Sequence, residues 1–227
     1  METVLEFLSA LRRNNDREWF AQNKEWYLRA QAEFNIIAQK LIDGISGFDP
    51  MVRGLALKDC TYRIYRDTRF SHNKEPYKTH MGAYVCPFGK KSGYAGYYLH
   101  VEHDEATGTD CFMSAGLYMP DPRVLKSVRY EIAENGDGFE EAVKKAKGFS
   151  LDPGNKLKRL PAGFLPGGKY DEYLKLKDIH LFKRFSARSA AQQGLAEYVV
   201  GEFSATYPFM SILNRAAEYA FEENTDD

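Results

Sequence analysis

The chain has 227 residues, 44% of them hydrophobic and 28% charged, and a formal net charge of −1. These totals fit one soluble domain over residues 1–227, large enough for a real core, and give no global pull toward nucleic acid. No apolar run approaches the roughly 18 residues of a membrane helix, and the opening METVLEFLSALRR has acids early and arginines late, the reverse of a secretory leader. Three cysteines, Cys60, Cys86 and Cys111, form no C-x-x-C pair, so reduced thiols and a cytoplasmic protein are expected.

Val4–Leu11 reads as a short helix with Val4, Leu5, Leu8 and Leu11 on one face. Asn14-Asn15 breaks it, and Asn15 with Glu18 three residues on resembles a capping box for a second helix. That helix is expected to run from Asp16 to Ile45, because Phe20, Tyr27, Phe34, Ile37, Leu41 and Ile45 recur at helical spacings as one buried stripe. Gly44, Gly47 and Pro50 end it.

Four alternating runs follow, each read as a strand: Cys60–Arg66, Tyr77–Cys86, Tyr94–His103 and Thr109–Tyr118. Their short connections, with a hairpin tip at 105–108, predict an antiparallel meander. Asp121-Pro122 marks a helix start, Asn135-Gly136 its stop, and a further helix spans about 137–147. A Gly/Pro-rich surface connection leads to a helical turn at Tyr170–Leu176, a fifth strand at Ile179–Ser186, and helices at Ala190–Phe203 and Pro208–Phe221. The expected fold is therefore α+β: a mainly antiparallel sheet of four to five strands, its meander at about 60–118, packed against a long N-terminal helix and C-terminal helices.

Charge concentrates in Thr61–His80, TYRIYRDTRFSHNKEPYKTH, which holds five basic residues against two acids, net +3. Tyr62, Tyr65, Phe70 and Tyr77 are threaded between them. Guanidinium groups bind phosphate or carboxylate through paired hydrogen bonds, and neighbouring aromatic faces stack rings. The candidate ligand-binding residues are Arg63, Arg66, Asp67, Arg69, Lys74, Tyr77 and Lys78. Strand alternation opposes the idea, since Arg63 and Arg66 fall on opposite faces unless the strand ends or bulges. The competing reading is a salt-bridge network that pins the loop. A second basic segment, Gly154–Arg188, has nine basic residues against three acids, net +6. Trp19, Asn23 and Lys24 are secondary candidates, although capping and core packing account for most of their stretch.

Three residue patterns resemble a known family. They are Arg63-x-x-Arg66-Asp67-x-Arg69-Phe70-x-x-Asn73-Lys74-x-x-Tyr77, the opening FLSALRRNNDREWFAQNKEWY, and Ala115-Gly116-Leu117-Tyr118 with Leu157-Lys158-Arg159-Leu160-Pro161-Ala162-Gly163-Phe164. Together they are similar to the bacterial and fungal family named domain of unknown function 2461. The resemblance covers nearly the whole chain and implies a family of about this length, with no established activity.

No G-x-S-x-G, Walker A or G-x-G-x-x-G occurs. The three cysteines, placed inside strands, read as buried and inert. His100 and Glu102 share one strand face, His103 lies on the other, and His72 and His80 flank the basic loop; without a tight Cys/His cluster neither a metal nor a cofactor is expected. The expected function is binding, with or without catalysis, of an anionic small molecule in an Arg/Lys/Tyr-lined pocket. The alternative is a non-catalytic module that meets a polyanion or an acidic protein surface with the two basic segments. Neither nucleic acid nor a membrane is an expected partner.

Overall fold

The computed structural model describes residues 1–103, 111–187, 191 and 194–222. Its helices are α1 (Glu2–Arg13), α2 (Arg17–Gln22), α3 (Lys24–Ser46), α4 (Leu57–Cys60), α5 (Pro122–Lys145), α6 (Asp171–Leu174), α7 (Leu195–Ser204) and α8 (Tyr207–Glu222). Its strands are β1 (His80–Val85), β2 (Gly96–Glu102), β3 (Phe112–Leu117), β4 (Ser150–Leu151) and β5 (Ile179–Arg184). They form one sheet in the order β1-β2-β3-β5-β4, with every neighbouring pair antiparallel. The α+β reading therefore holds, with β1-β2-β3 as the meander. The expected hairpin tip at 105–108 and the start of the helix placed at Ala190 lie outside the described residues.

Alternation divides the sheet into two faces. Met81, Ala83, Val85, Tyr97, Leu99, Val101, Met113, Ala115, Leu117, Ile179 and Leu181 are all buried on one face. The helices α1, α3 and α8 contact the strands, and α5 packs along α8. Two polar ties fix this layer. Tyr97 donates from its hydroxyl to Asp49 at 2.9 Å, and the Asn214 side chain exchanges hydrogen bonds with both backbone groups of Ala95. The opposite face, built from His80, Gly82 and Tyr84, then Gly96, Tyr98 and His100, then Phe112, Ser114 and Gly116, then His180 and Phe182, has no helix layer among the described residues and carries the pocket.

Several boundaries differ from the sequence reading. Cys60–Arg66 is not a strand. It makes only isolated bridges, Thr61 to Ala83 and Tyr65 to Tyr77. Arg66 and Lys78 donate their backbone N–H to the carbonyls of Pro76 and Ile64, but Pro76 has no N–H to return, so the ladder stops. The two-residue β4 takes its place in the sheet, and the strand expected at Ile179–Ser186 is present as β5. The long N-terminal helix is two helices, because Asn23 (φ −106°, ψ 21°) leaves helical geometry. Its side chain donates to the Trp19 carbonyl at 2.9 Å, closing the first helix locally. The cap of α2 is Asp16, which accepts from the Trp19 N–H, and not Asn15. The stripe itself is intact, with Phe20, Tyr27, Phe34, Leu41 and Ile45 buried. Asn135 marks a kink (φ −127°, ψ 39°) in α5 rather than a full stop. The cysteines lie in α4 or beside strand ends, and all three are buried as expected. Among the described residues no helix is long and apolar enough to cross a membrane.

Candidate functional site

The helix-free face of the sheet holds a cavity of about 630 Å³ lined by Tyr62, Lys78, His80, Tyr84, Lys90, Gly96, Tyr98, His100, Phe112, Ser114, Gly116, Tyr118, Asp152, His180 and Phe182. That size falls in the range of small-molecule sites. The sheet register builds its floor. His80, His100, Phe112 and Phe182 come from four adjacent strands, and their rings run in a row with successive centroids 4.4, 4.4 and 4.8 Å apart. Glycine keeps the floor low: a Cβ on Gly82 would stand 2.6 Å from the Tyr98 hydroxyl oxygen, and one on Gly96 would stand 2.6 Å from the Tyr84 ring.

Two chains of polar groups cross this floor. In the first, Glu102 and His100 Nε2 are 3.0 Å apart, and His100 Nδ1 is 3.0 Å from the Tyr98 hydroxyl. In the second, Asp152 lies 3.4 Å from His180 Nε2, and His180 Nδ1 is 3.0 Å from the Ser114 hydroxyl. Tyr98 and Ser114 are direct cross-strand partners, so both hydroxyls open onto the same ground. With each carboxylate accepting from Nε2–H, each Nδ1 is left to accept from a hydroxyl, an arrangement suited to proton transfer. Burial pushes Glu102 up, but hydrogen bonds from His100 and Thr79 and the Arg12 charge outweigh it and hold the carboxyl below its ordinary value. Burial, then His100, lowers His80 to about 4, so its imidazole is neutral near pH 7. Burial also lowers His180, with Asp152 and Asp178 opposing.

One wall is basic. Lys78 Nζ lies 5.4 Å and Lys90 Nζ 5.8 Å from the centre of the Tyr62 ring. Lys78 donates to the Arg63 carbonyl at 3.0 Å and Lys90 to that of Lys58, and among the described residues no carboxylate pairs with either ammonium. Burial, helped by Arg63, lowers Lys78.

Of the seven candidate ligand-binding residues, Lys78 alone lines the cavity. Arg63 borders it through the carbonyl that holds Lys78. Arg69 makes a two-pronged pair with Asp67 at 3.0 and 2.7 Å, both exposed. Arg66 lies 3.7 Å from Glu75, and Lys74 donates to the Thr68 carbonyl. Tyr77 is buried and stacks on Phe20 with centroids 4.0 Å apart. These six do not converge with Lys78 on one cavity. Lys24 lies over the Phe20 and Tyr27 rings, and Trp19 packs against Phe7 and Trp26. Sequence reading missed Lys90, Tyr98, Ser114, Asp152 and His180, and weighed His80, His100 and Glu102 only as metal ligands. The available signal was the alternation of Tyr98, His100 and Glu102 on one face of a Tyr-rich strand.

In the second basic segment four of the nine cations pair with acids. Lys156 and Lys175 pair with Glu172, Lys169 with Asp137 and Glu140, and Lys183 with Glu202. A larger cleft of about 810 Å³ runs between α5 and α8, but Arg215 there is taken by Glu131 and Arg123 by Asp121. The thiols are poor nucleophiles: burial pushes Cys60 up to about 11 and Cys86 up to about 12.

No curated protein and no solved structure shows significant similarity to the chain. One family model, described as conserved hypothetical protein (DUF2461), matches residues 3–211. The match takes in the basic stretch, all five strands and the start of the last helix, and the chain belongs to the DUF2461 family.

Proposed function

We propose that the protein binds a small organic anion, phosphate- or carboxylate-bearing and with a flat ring, in the cavity on the open sheet face. The observation that carries this reading is the pair of lysines at the Tyr62 wall, Lys78 and Lys90, which both line the cavity and which no carboxylate among the described residues pairs. The ammonium groups take the anionic end. The ring row from His80 to Phe182 takes the flat part by stacking. The carboxylate–imidazole–hydroxyl chains ending at Tyr98 and Ser114 equip the same floor for general acid–base chemistry on the bound molecule.

The test is a melting scan of wild type, Lys78→Ala and Lys90→Ala with inorganic phosphate, pyrophosphate, nucleoside monophosphates and aromatic carboxylates. A ligand at a hundredfold excess over its Kd stabilises the native state by roughly 2.7 kcal/mol. At least one ring-bearing anion is expected to raise the melting temperature of the wild type, with the shift lost in Lys78→Ala and reduced in Lys90→Ala. An unshifted wild type across the panel, or a shift that survives both substitutions, overturns the reading.

A further inference from the structure

The β1–β2 register sets His80 directly opposite Glu102 and places His100 two residues earlier on the same strand and face. Three ligating side chains from two adjacent strands therefore meet at one corner of the cavity floor. One ligand atom from each, two imidazole nitrogens and a carboxylate oxygen, lies within 4.8 Å of the others. Their other atoms are already held. Glu102 Oε1 accepts from Arg12 and from the Thr79 hydroxyl, 3.0 Å away, which leaves Oε2 turned to His100 Nε2. His100 Nδ1 is engaged by Tyr98. His80 is half-buried, and among the described residues neither of its ring nitrogens has a hydrogen-bond partner. A hydrogen-bonded cluster serving only to hold Arg12 needs His100 and Glu102 but has no use for His80.

We propose that His80, His100 and Glu102 form a binding site for a borderline divalent transition ion of the Zn²⁺ type. Two imidazoles and one carboxylate are the donor set such ions favour over Mg²⁺ or Ca²⁺, which take all-oxygen ligands. The ion takes the place of the proton between His100 Nε2 and Glu102 Oε2; that proton moves to His100 Nδ1, which then donates to the Tyr98 hydroxyl oxygen, so the imidazole stays neutral. Tyr98 behind His100, and Arg12 and Thr79 behind Glu102, are the outer partners that orient such ligands. Three protein ligands leave coordination positions open to the cavity, the pattern of ions that act on a bound molecule rather than staple a fold. The Arg12 charge opposes the ion, so binding is expected to be weaker than at a structural zinc site.

The site stands independently of the anion pocket, and the experiment separates them. Chelator-stripped full-length protein is titrated with Co²⁺, followed by visible absorption, and with Zn²⁺, followed by calorimetry. One ion per chain is expected. His80→Asn and Glu102→Gln should each weaken binding at least tenfold, and Tyr98→Phe by about tenfold, as outer partners of metal ligands typically do. Lys78→Ala removes a positive charge that acts on His80 and should not weaken binding, and the exposed His72→Ala should bind as wild type. Circular dichroism checks the fold of each variant; His80 makes no hydrogen bond to lose, so His80→Asn keeps the test decisive if Glu102→Gln does not fold. Absence of stoichiometric binding, or binding unchanged in a folded His80→Asn, overturns the proposal.

Discussion

Asn15 and Tyr77 exchange two hydrogen bonds across 62 residues of chain. The Asn15 side-chain amide donates to the Tyr77 carbonyl at 3.0 Å, and its oxygen accepts from the Tyr77 N–H at 3.1 Å. The side chain thus imitates a strand partner and pins the α1–α2 corner to the segment entering β1. Lys78 is the next residue, so the same clamp sets the basic wall of the cavity. Asn15→Ala leaves both backbone groups without their partner and is expected to cost about 1–3 kcal/mol in chemical denaturation. Asn15→Asp should also destabilise, because a carboxylate has no N–H to give the Tyr77 carbonyl.

Phe34 lies on the buried stripe of α3 and is 3% exposed. Phe34→Ala should lose about 3–5 kcal/mol, measured by the shift in denaturation midpoint. A loss below about 1 kcal/mol would mean that the stripe contributes little to the core.

Two glycines should respond differently to the same added methyl. At Gly116 (φ +138°) a Cβ would stand 2.4 Å from the Ile179 carbonyl oxygen, a backbone atom in a paired strand that has little room to retreat. Gly116→Ala is expected to cost at least about 2 kcal/mol. At Gly82 the obstacle is the end of the Tyr98 side chain, which rotates away. Gly82→Ala should therefore keep most of its stability but lift Tyr98 off His100 and reduce the anion-induced melting shift.

His180 faces Ser114, Asp152, Asp178 and the Tyr118 ring, and burial keeps its folded pKa below the ordinary value despite the two carboxylates. Below pH about 6.5 the unfolded chain takes up a proton there that the folded chain resists, so stability falls as pH drops. A melting series from pH 7.5 to 5 should show that decline, to which His80 also contributes, and His180→Gln should reduce its slope. An equal slope in the variant would assign the decline to other groups.

Arg69 and Asp67 pair in the open, with side chains 78% and 48% exposed. Exposed ion pairs contribute little, so Arg69→Ala should leave ligand-free melting nearly unchanged. The anion-induced shift should persist in Arg69→Ala and vanish in Lys78→Ala. Loss of the shift in both would extend the site from the cavity onto the loop.

The stripe of α2 and α3 was legible because helical periodicity is local, and Phe20, Tyr27, Phe34, Leu41 and Ile45 announce their common face without reference to the rest of the chain. The same holds for β2, where Tyr98, His100 and Glu102 alternate with Tyr97, Leu99 and Val101. The cap of α2 was misread by one residue because Asn15 and Asp16 are both good caps; the choice was made by Tyr77, 62 positions away. Cys60–Arg66 alternates like a strand but lacks a continuous partner, and a strand exists only where another segment completes its hydrogen bonds.

The sequence by itself determined the α+β class, the antiparallel meander, the buried faces of α3 and β2, and the basic character of Thr61–His80, since all of these follow from periodicity and composition. Only the tertiary structure decided that the basic stretch spends most of its charge on its own neighbours and contributes Lys78 to a cavity. It alone joined Lys90, His180 and Asp152 to that cavity and set His80 opposite Glu102. Those meetings depend on strand register and on chain segments far apart in sequence, and a one-residue slip would send the strand residues among them, His80, Glu102 and His180, to the other face.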